Sequence, residues 1–292
     1  MLPASNHPNP SAASRSFRPI AVGALYPSVE RGLAADLAAA RSLGGVAYPV
    51  CTLLLMAGHG TTTDATDVPE DTVRAQLEHL AATVRPSALK IGVLSSHGSA
   101  DAVLTFAEAF DGPVLLDLQL SGRHGETVLT SRGIDVVMDR LAVPDLVVIS
   151  RSDAEPLSGG EIASLDDAQV AAQRLVRQGA RAVVIKCGPL PARFFETEQG
   201  LPSSDPEAPF NADLYFDGES FALFEAPHLT DGPCEAASSA FAIAALRGMT
   251  DGKTTEEALQ EAKRFVTEGI RNGTKEGETV FFNFDWSRQE TH

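Results

Sequence analysis

The chain has 292 residues, 43% of them hydrophobic but only 6% aromatic, and a formal net charge of -16. That length supports a large core, as one big α/β domain or two smaller ones, and the acidity argues against nucleic acid or an anionic membrane surface as the main partner. Three cysteines with no C-x-x-C pair make neither a disulfide framework nor a zinc site, which implies a reducing compartment, the cytoplasm.

Residues 1–17 are rich in Ser, Pro, Ala and Asn and have no apolar central region, so they read as a disordered leader to a single domain at 18–292. No apolar run reaches the length of a membrane span; 50–57 is too short. From residue 18 short apolar runs alternate with amphipathic stretches. Residues 19–25 read as a strand and 28–43 as a helix, with Leu33, Leu37, Ala40 and Leu43 at helical spacing and Gly44-Gly45 ending it. A buried strand at 46–56 leads to a polar loop at 57–67, a helix at 69–84 and a strand at 87–94. Then follow a helix at 100–110, strands at 113–118 and 146–149 around a helix at 130–141, and a helix at 166–178 before a strand at 180–186. This order predicts a mostly parallel sheet with helices on both faces.

The texture changes between 190 and 226. Residues 194–196, 213–216 and 221–224 read as hairpin strands, interrupted by a Pro/Ser/Asp-rich insertion at 199–211 that is expected to be a solvated loop. Helices are expected at 233–247 and 254–270, followed by a polar tail. The start of the first of these, Thr230-Asp231-Gly232-Pro233-Cys234-Glu235-Ala236, has two readings. One is a well-capped helix with Pro233 in its first position and Cys234 in its first turn. The other is an anion site beside a thiol, because a helix start presents unpaired N–H groups and a positive dipole end.

In a parallel α/β sheet, ligands bind at the carboxyl ends of the strands. Asp117, Ser152, Glu155 and Lys186-Cys187-Gly188 all fall there, at the edge that also meets Cys234. Each alone is more often structural; together they mark a site.

At these residues the chain resembles the ribokinase-like small-molecule kinases, specifically the hydroxymethylpyrimidine and phosphomethylpyrimidine kinases, over residues 19–272. Gly32-Leu33-Ala34-Ala35-Asp36-Leu37 is similar to the family's G-I-Q-A-D-L, Ala88-Leu89-Lys90-Ile91-Gly92-Val93-Leu94 to A-V-K-I-G-M-L, and Val114-Leu115-Leu116-Asp117 to its strand ending D-P-V. Ser152-Asp153-Ala154-Glu155 is similar to N-x-x-E, Val183-Val184-Ile185-Lys186-Cys187-Gly188 to V-L-V-K-G-G, and the stretch with Cys234 to H-G-T-G-C-T. The resemblance implies a three-layer sandwich, a small-molecule substrate, ATP with Mg²⁺, and a possible homodimer. It implies phosphorylation of a hydroxymethylpyrimidine or its monophosphate in thiamine biosynthesis, with Cys234 as the base for the substrate hydroxyl. Asp117 and Glu155 would act around the metal, and Ser152, Glu155, Lys186, Gly188 and Asp117 around the nucleotide. Ala24, Tyr26, Ala57, Val93 and Gln119 would face the acceptor.

The departures lie in the chemistry. The family loop A-G-S-D-S-S-G-G-A-G is here Gly23-Ala24-Leu25-Tyr26-Pro27-Ser28-Val29-Glu30-Arg31-Gly32, with Tyr26 in place of the acid. Aligned on Cys234, G-T-G becomes Asp231-Gly232-Pro233, and Pro233 has no N–H to offer a phosphoryl oxygen. Asp231 and Glu235 would place carboxylates beside that phosphate, at roughly 4 kcal/mol each if unscreened at about 4 Å and an effective dielectric near 20. A weakened kinase with a ligand-binding or regulatory role is therefore one alternative, and a pyridoxal-type kinase another.

Overall fold

The structure is a computed structural model that describes residues 16–27, 30–58, 61–122, 127–197 and 200–286. Its centre is made of short runs buried on both faces. The strands are β1 (Pro19–Leu25), β2 (Tyr48–Gly58), β3 (Thr61–Asp67), β4 (Ala88–Ile91), β5 (Val114–Leu118), β6 (Leu146–Ser150), β7 (Val183–Pro191), β8 (Pro209–Phe216) and β9 (Phe221–Ala226). They form one sheet in the order β3-β2-β1-β4-β5-β6-β7-β8-β9. The run from β2 to β7 is parallel, while β3, β8 and β9 pair antiparallel at the edges.

The helices are α1 (Leu33–Ser42), α2 (Glu70–Val84), α3 (His97–Glu108), α4 (Ser131–Asp139), α5 (Arg151–Ser158), α6 (Leu165–Arg177), α7 (Ala237–Thr250) and α8 (Thr255–Arg271). Alternation along the strands splits the core in two. Ile20, Val22 and Leu116 join Leu77, Leu104, Val137 and Leu175 of α2, α3, α4 and α6 on one face. Ala21 and Leu115 join Ala39, Ala240, Ala244 and Leu259 of α1, α7 and α8 on the other. The alanine faces of α1 and α7 let these helices lie close to the sheet. The expected three-layer α/β sandwich is the observed fold.

Several local expectations are corrected. The polar loop at 57–67 is instead the end of β2 and the edge strand β3, joined by backbone pairing from Leu53↔Asp67 to Gly58↔Thr61. Residues 194–196 are not a hairpin strand: Phe194 and Phe195 end a 3₁₀ turn, Ala192–Phe195, that Glu196 caps, and β8 reaches back into the expected loop at 199–211. Phe17, inside the expected leader, is buried in the core beneath the Arg247 guanidinium. Residues 1–15 of that leader, Ser28 and Val29 of the first expected helix, His59 and Gly60 of the polar loop, and residue 199 of the insertion lie outside the described residues.

The largest correction falls on Cys234. The helix does not begin at Pro233. Cys234–Glu235 is a two-residue strand, β10, that pairs parallel with β12 (Thr279–Phe281), which in turn pairs with β11 (Thr274–Glu276). The Val280 N–H donates to the Pro233 carbonyl at 2.9 Å. Ala236, at φ 69, then turns the chain through the left-handed region, and α7 starts at Ala237. Gly232 is required here, because a Cβ would stand 1.7 Å from the Glu278 carbonyl oxygen. Residues 274–281 of the expected polar tail thus dock as a hairpin against the stretch that carries the cysteine, and residues 287–292 of that tail lie outside the described residues. Among the described residues no helix is long and apolar enough to cross a membrane.

Candidate active site

Parallel strands bring β1, β4, β5 and β7 to one edge of the sheet with their carboxyl ends together, and a line of charges crosses that edge. Asp117, near the end of β5, is fully buried. Its Oδ1 accepts from Lys186 Nζ at 3.0 Å, and its two oxygens accept from Ser238 Oγ, at the start of α7, at 3.2 and 3.1 Å. Lys186 also donates to Ser238 Oγ. Gln119 Nε2 donates to Asp117 Oδ2 at 3.4 Å.

Behind Asp117 lies Lys90, in the middle of an apolar strand and 1% exposed. It donates to Asp36 Oδ2 of α1 at 3.0 Å and stands 4.0 Å from Asp117 Oδ2. Burial pushes the Asp117 carboxyl up, but Lys186 and Lys90 outweigh burial and hold it below the usual carboxylate range. Burial alone would lower Lys90; Asp36 and Asp117 outweigh it, so the ammonium titrates above its ordinary value. Asp36, at the far end, is raised by burial despite the pull of Lys90. On the other side, Lys186 pairs in register with Asp213 of β8, and Asp213 Oδ2 accepts from Lys263 of α8 at 2.8 Å. The row reads Asp36, Lys90, Asp117, Lys186, Asp213, Lys263, with acid and base alternating.

Its outer half opens into a cleft of about 400 Å³. Lys186, Gly188, Asp213, Lys263, Ser238 and Cys234 line it, with Val266 and Ile270 as an apolar wall. Gly188, at φ 69, sits at the bulge where β7 slips register against β8, a backbone that favours glycine. Cys234 is half-buried and its Sγ donates to the Glu235 carbonyl at 3.6 Å.

The two carboxylates expected beside the phosphate, Asp231 and Glu235, point elsewhere. In a strand, successive side chains point to opposite faces. Cys234 faces the cleft, and Glu235 is buried on the other side in a two-pronged ion pair with Arg31. Asp231 is 98% exposed at its side chain and lies 2.8 Å from His228 Nε2. The repulsion foreseen from a helical register is therefore not built into the fold.

The other expected site residues divide. Ala24 and Val93 are buried with Leu53, Leu55 and Val128 in a small apolar cluster at the ends of β1 and β2, and Tyr26 packs against it. Ala57 belongs to β2, its backbone paired with Thr62. Ser152 is exposed on α5, its Oγ 3.1 Å from Ser150 Oγ. Glu155 is half-buried and accepts from Arg151 Nη1 at 3.1 Å and from the Ile162 N–H at 3.3 Å, which closes the end of α5. It shares no contact with Asp117 in this arrangement. Lys90, Asp36, Ser238, Asp213 and Lys263 were missed as site residues. A lone lysine inside the apolar run Ala88-Leu89-Lys90-Ile91 was the available signal, since a buried charge requires a partner.

The model of the phosphomethylpyrimidine kinase family matches residues 27–282. The hydroxymethylpyrimidine/phosphomethylpyrimidine kinase of Aquifex aeolicus is 26% identical over 248 residues, 84% of this chain and 91% of that protein. The protein of the same name from Bacillus subtilis is 29% identical over 224 residues, 73% of this chain and 76% of its own. In fold, the chain is similar to the pyridoxal kinase of Staphylococcus aureus solved with AMP-PCP and pyridoxal. That likeness has a TM-score of 0.78 at 23% identity and covers 94% of this chain and 95% of that one.

Proposed function

Because the chain belongs to the phosphomethylpyrimidine kinase family, we propose that it transfers a phosphoryl group from ATP to a hydroxymethyl group on a heteroaromatic alcohol. The acceptor is a hydroxymethylpyrimidine or its monophosphate, a step of thiamine biosynthesis. The relatives in Aquifex and Bacillus carry that activity in their names, and the Staphylococcus kinase binds an ATP analogue. The observation that carries the reading is Lys186 in the cleft wall, held by the buried Asp117 and by Ser238. An ammonium fixed before the ligand arrives needs no reorganisation to meet a phosphate, and phosphoryl transfer asks chiefly for positioning and charge compensation.

In this reading the nucleotide phosphates lie along Lys186 and Gly188, and the base end lies between the loop at 226–230 and α8. Cys234 takes the proton of the acceptor hydroxyl, and the acceptor lies on the side of Tyr26 and Gln119. Mg²⁺ does not fit the pair expected to hold it. Both Asp117 oxygens are occupied by Lys186, Ser238 and Gln119, and Glu155 is engaged by Arg151 and Ile162. Among the described residues no group of three or more His, Cys, Asp or Glu side chains is placed to hold a metal.

A pyridoxal-type alcohol is the second reading, favoured by Tyr26, which packs on an apolar cluster where the family motif has an acid. ATP consumption over hydroxymethylpyrimidine, its monophosphate and pyridoxal separates the two. Lys186→Ala should abolish turnover with either acceptor. No thermal stabilisation by millimolar ATP, with or without Mg²⁺, would count against the nucleotide site. Turnover that survives Cys234→Ala intact would sink the base assignment and leave the rest standing.

A further inference from the structure

The loop after β1 and the strand carrying Cys234 are 204 residues apart in sequence, and among the described residues an ion pair joins them: Arg31 donates through Nε and Nη2 to the two oxygens of Glu235, the second bond at 2.5 Å. We propose that Arg31 and Glu235 are positioning residues, through which the loop after β1 sets the place of the Cys234 thiol. The idea rests on the reading that puts Cys234 at the reacting centre and the β1 loop on the acceptor side.

Three features of the contact support it. The Glu235 side chain is 6% exposed and that of Arg31 25%, so the pair is shielded from bulk solvent. A planar fork on a carboxylate fixes orientation as well as distance, which a point contact does not. Both ends are themselves held. Arg31 precedes Gly32, whose backbone bridges Leu25 and whose position tolerates no Cβ, the Ala24 carbonyl being 2.4 Å away. Glu235 belongs to a two-residue strand pinned on its other edge by Val280. A displacement of the loop is thus passed to Cys234 through one residue of backbone.

The two positions also depart from the family motif together. Arg31 stands where the motif has alanine, and Glu235 where it has threonine. Each change alone would bury a charge in this place; as a pair they cancel.

The test compares Arg31→Ala, Glu235→Ala, Arg31→Lys and the reversed pair Arg31→Glu with Glu235→Arg. Either alanine variant should lower kcat at least about tenfold, which is about 1.4 kcal/mol of barrier, with the KM for ATP within about twofold. Arg31→Lys should recover only part of kcat, because it keeps the charge and loses the fork. The reversed pair, where it folds, should exceed both single variants. A lower melting temperature with unchanged kcat would mean a purely structural contact and overturns the proposal. A second readout does not depend on turnover: iodoacetamide labelling of Cys234, followed by mass spectrometry in the folded protein. Arg31→Ala should change its rate at least about threefold and leave Cys51 unaffected. If the wild-type chain turns over no acceptor, the labelling rates still decide, and equal rates overturn the proposal.

Discussion

Replacing Lys90 by methionine tests whether the buried row of charges is what holds the site together. Methionine fills the ammonium's stem with little change in volume, so the loss is electrostatic rather than a cavity. It leaves Asp36 fully buried without its 3.0 Å partner, and Asp117 without one of its two lysines. Breaking a buried pair by removing one member costs about 3–5 kcal/mol, a large part of the roughly 5–15 kcal/mol that holds a domain folded. Urea unfolding at neutral pH should show that loss. The double variant Lys90→Met with Asp36→Asn should recover at least about half of it, because no bare carboxylate remains. The pH dependence has a defined sign. Lys90's folded value lies above its ordinary 10.5, so its contribution is fully present below 10.5 and is lost as pH rises through the folded value. The gap between wild type and Lys90→Met should therefore narrow above about that pH, and it should narrow again on the acid side, where the bare Asp36 takes up a proton. A single variant within about 1 kcal/mol of wild type would refute the reasoning, as would a double variant no more stable than the single.

Three further outcomes follow from the same geometry. Gly232→Ala drives a Cβ to 1.7 Å from the Glu278 carbonyl oxygen, which is backbone and cannot rotate away; the variant should lose about 2–4 kcal/mol, with hydrogen exchange at Val280 accelerating more than in the central strands. Ser238→Ala removes the hydroxyl shared by Asp117 and Lys186; nucleotide affinity by calorimetry should fall about tenfold, and unchanged affinity would separate Ser238 from the site. Burial, aided by Asp213, pushes the Cys187 thiol up to about 12 from 9.0. The folded state then holds a proton that the unfolded chain has released between those values, so stability should fall with rising pH there by up to about 1.4 kcal/mol per unit. Cys187→Ala, compared as a slope and not as an absolute stability, should flatten that part of the curve.

The sheet was legible because its strands are buried on both faces. Runs such as 19–25 and 146–149 are apolar without interruption, and helices between them have their own period. β3 was not legible, since Thr61–Asp67 has no apolar pattern and is held as a strand only by pairing with β2. α5 was hidden by Pro156 and a polar composition. At the candidate site, Cys234 drew notice as a helix start, whereas the meeting of Asp117 and Lys186 was readable because strand ends in a parallel sheet converge whatever lies between them. Their neighbours were not. Ser238 sits in a run of small residues that reads as helix filler, and the pairing of Arg31 with Glu235 leaves no local trace. The register of Cys234 failed for the same reason: Asp231-Gly232-Pro233 has every mark of a helix start, and only the distant Val280 makes it a strand.

The alternating row also bears on how a nucleotide could gain from Lys186. Its ammonium is paired with Asp117, and Asp213 stands opposite it in register across the strand pair, so part of its field at a phosphate is offset. In exchange it is held in place, which stabilises a transition state more than it favours ground-state binding. This separates two roles for Asp117. If Asp117 holds a metal ion, Asp117→Asn should weaken binding of ATP in the presence of Mg²⁺. If it restrains Lys186, the variant leaves the lysine's charge uncompensated, so ATP without Mg²⁺ should bind several-fold more tightly while kcat falls. Calorimetry below the variant's melting temperature, with and without Mg²⁺, distinguishes the two. Tighter metal-free binding with lower turnover is the expected result, and weaker binding confined to the Mg²⁺ arm would return Asp117 to the metal.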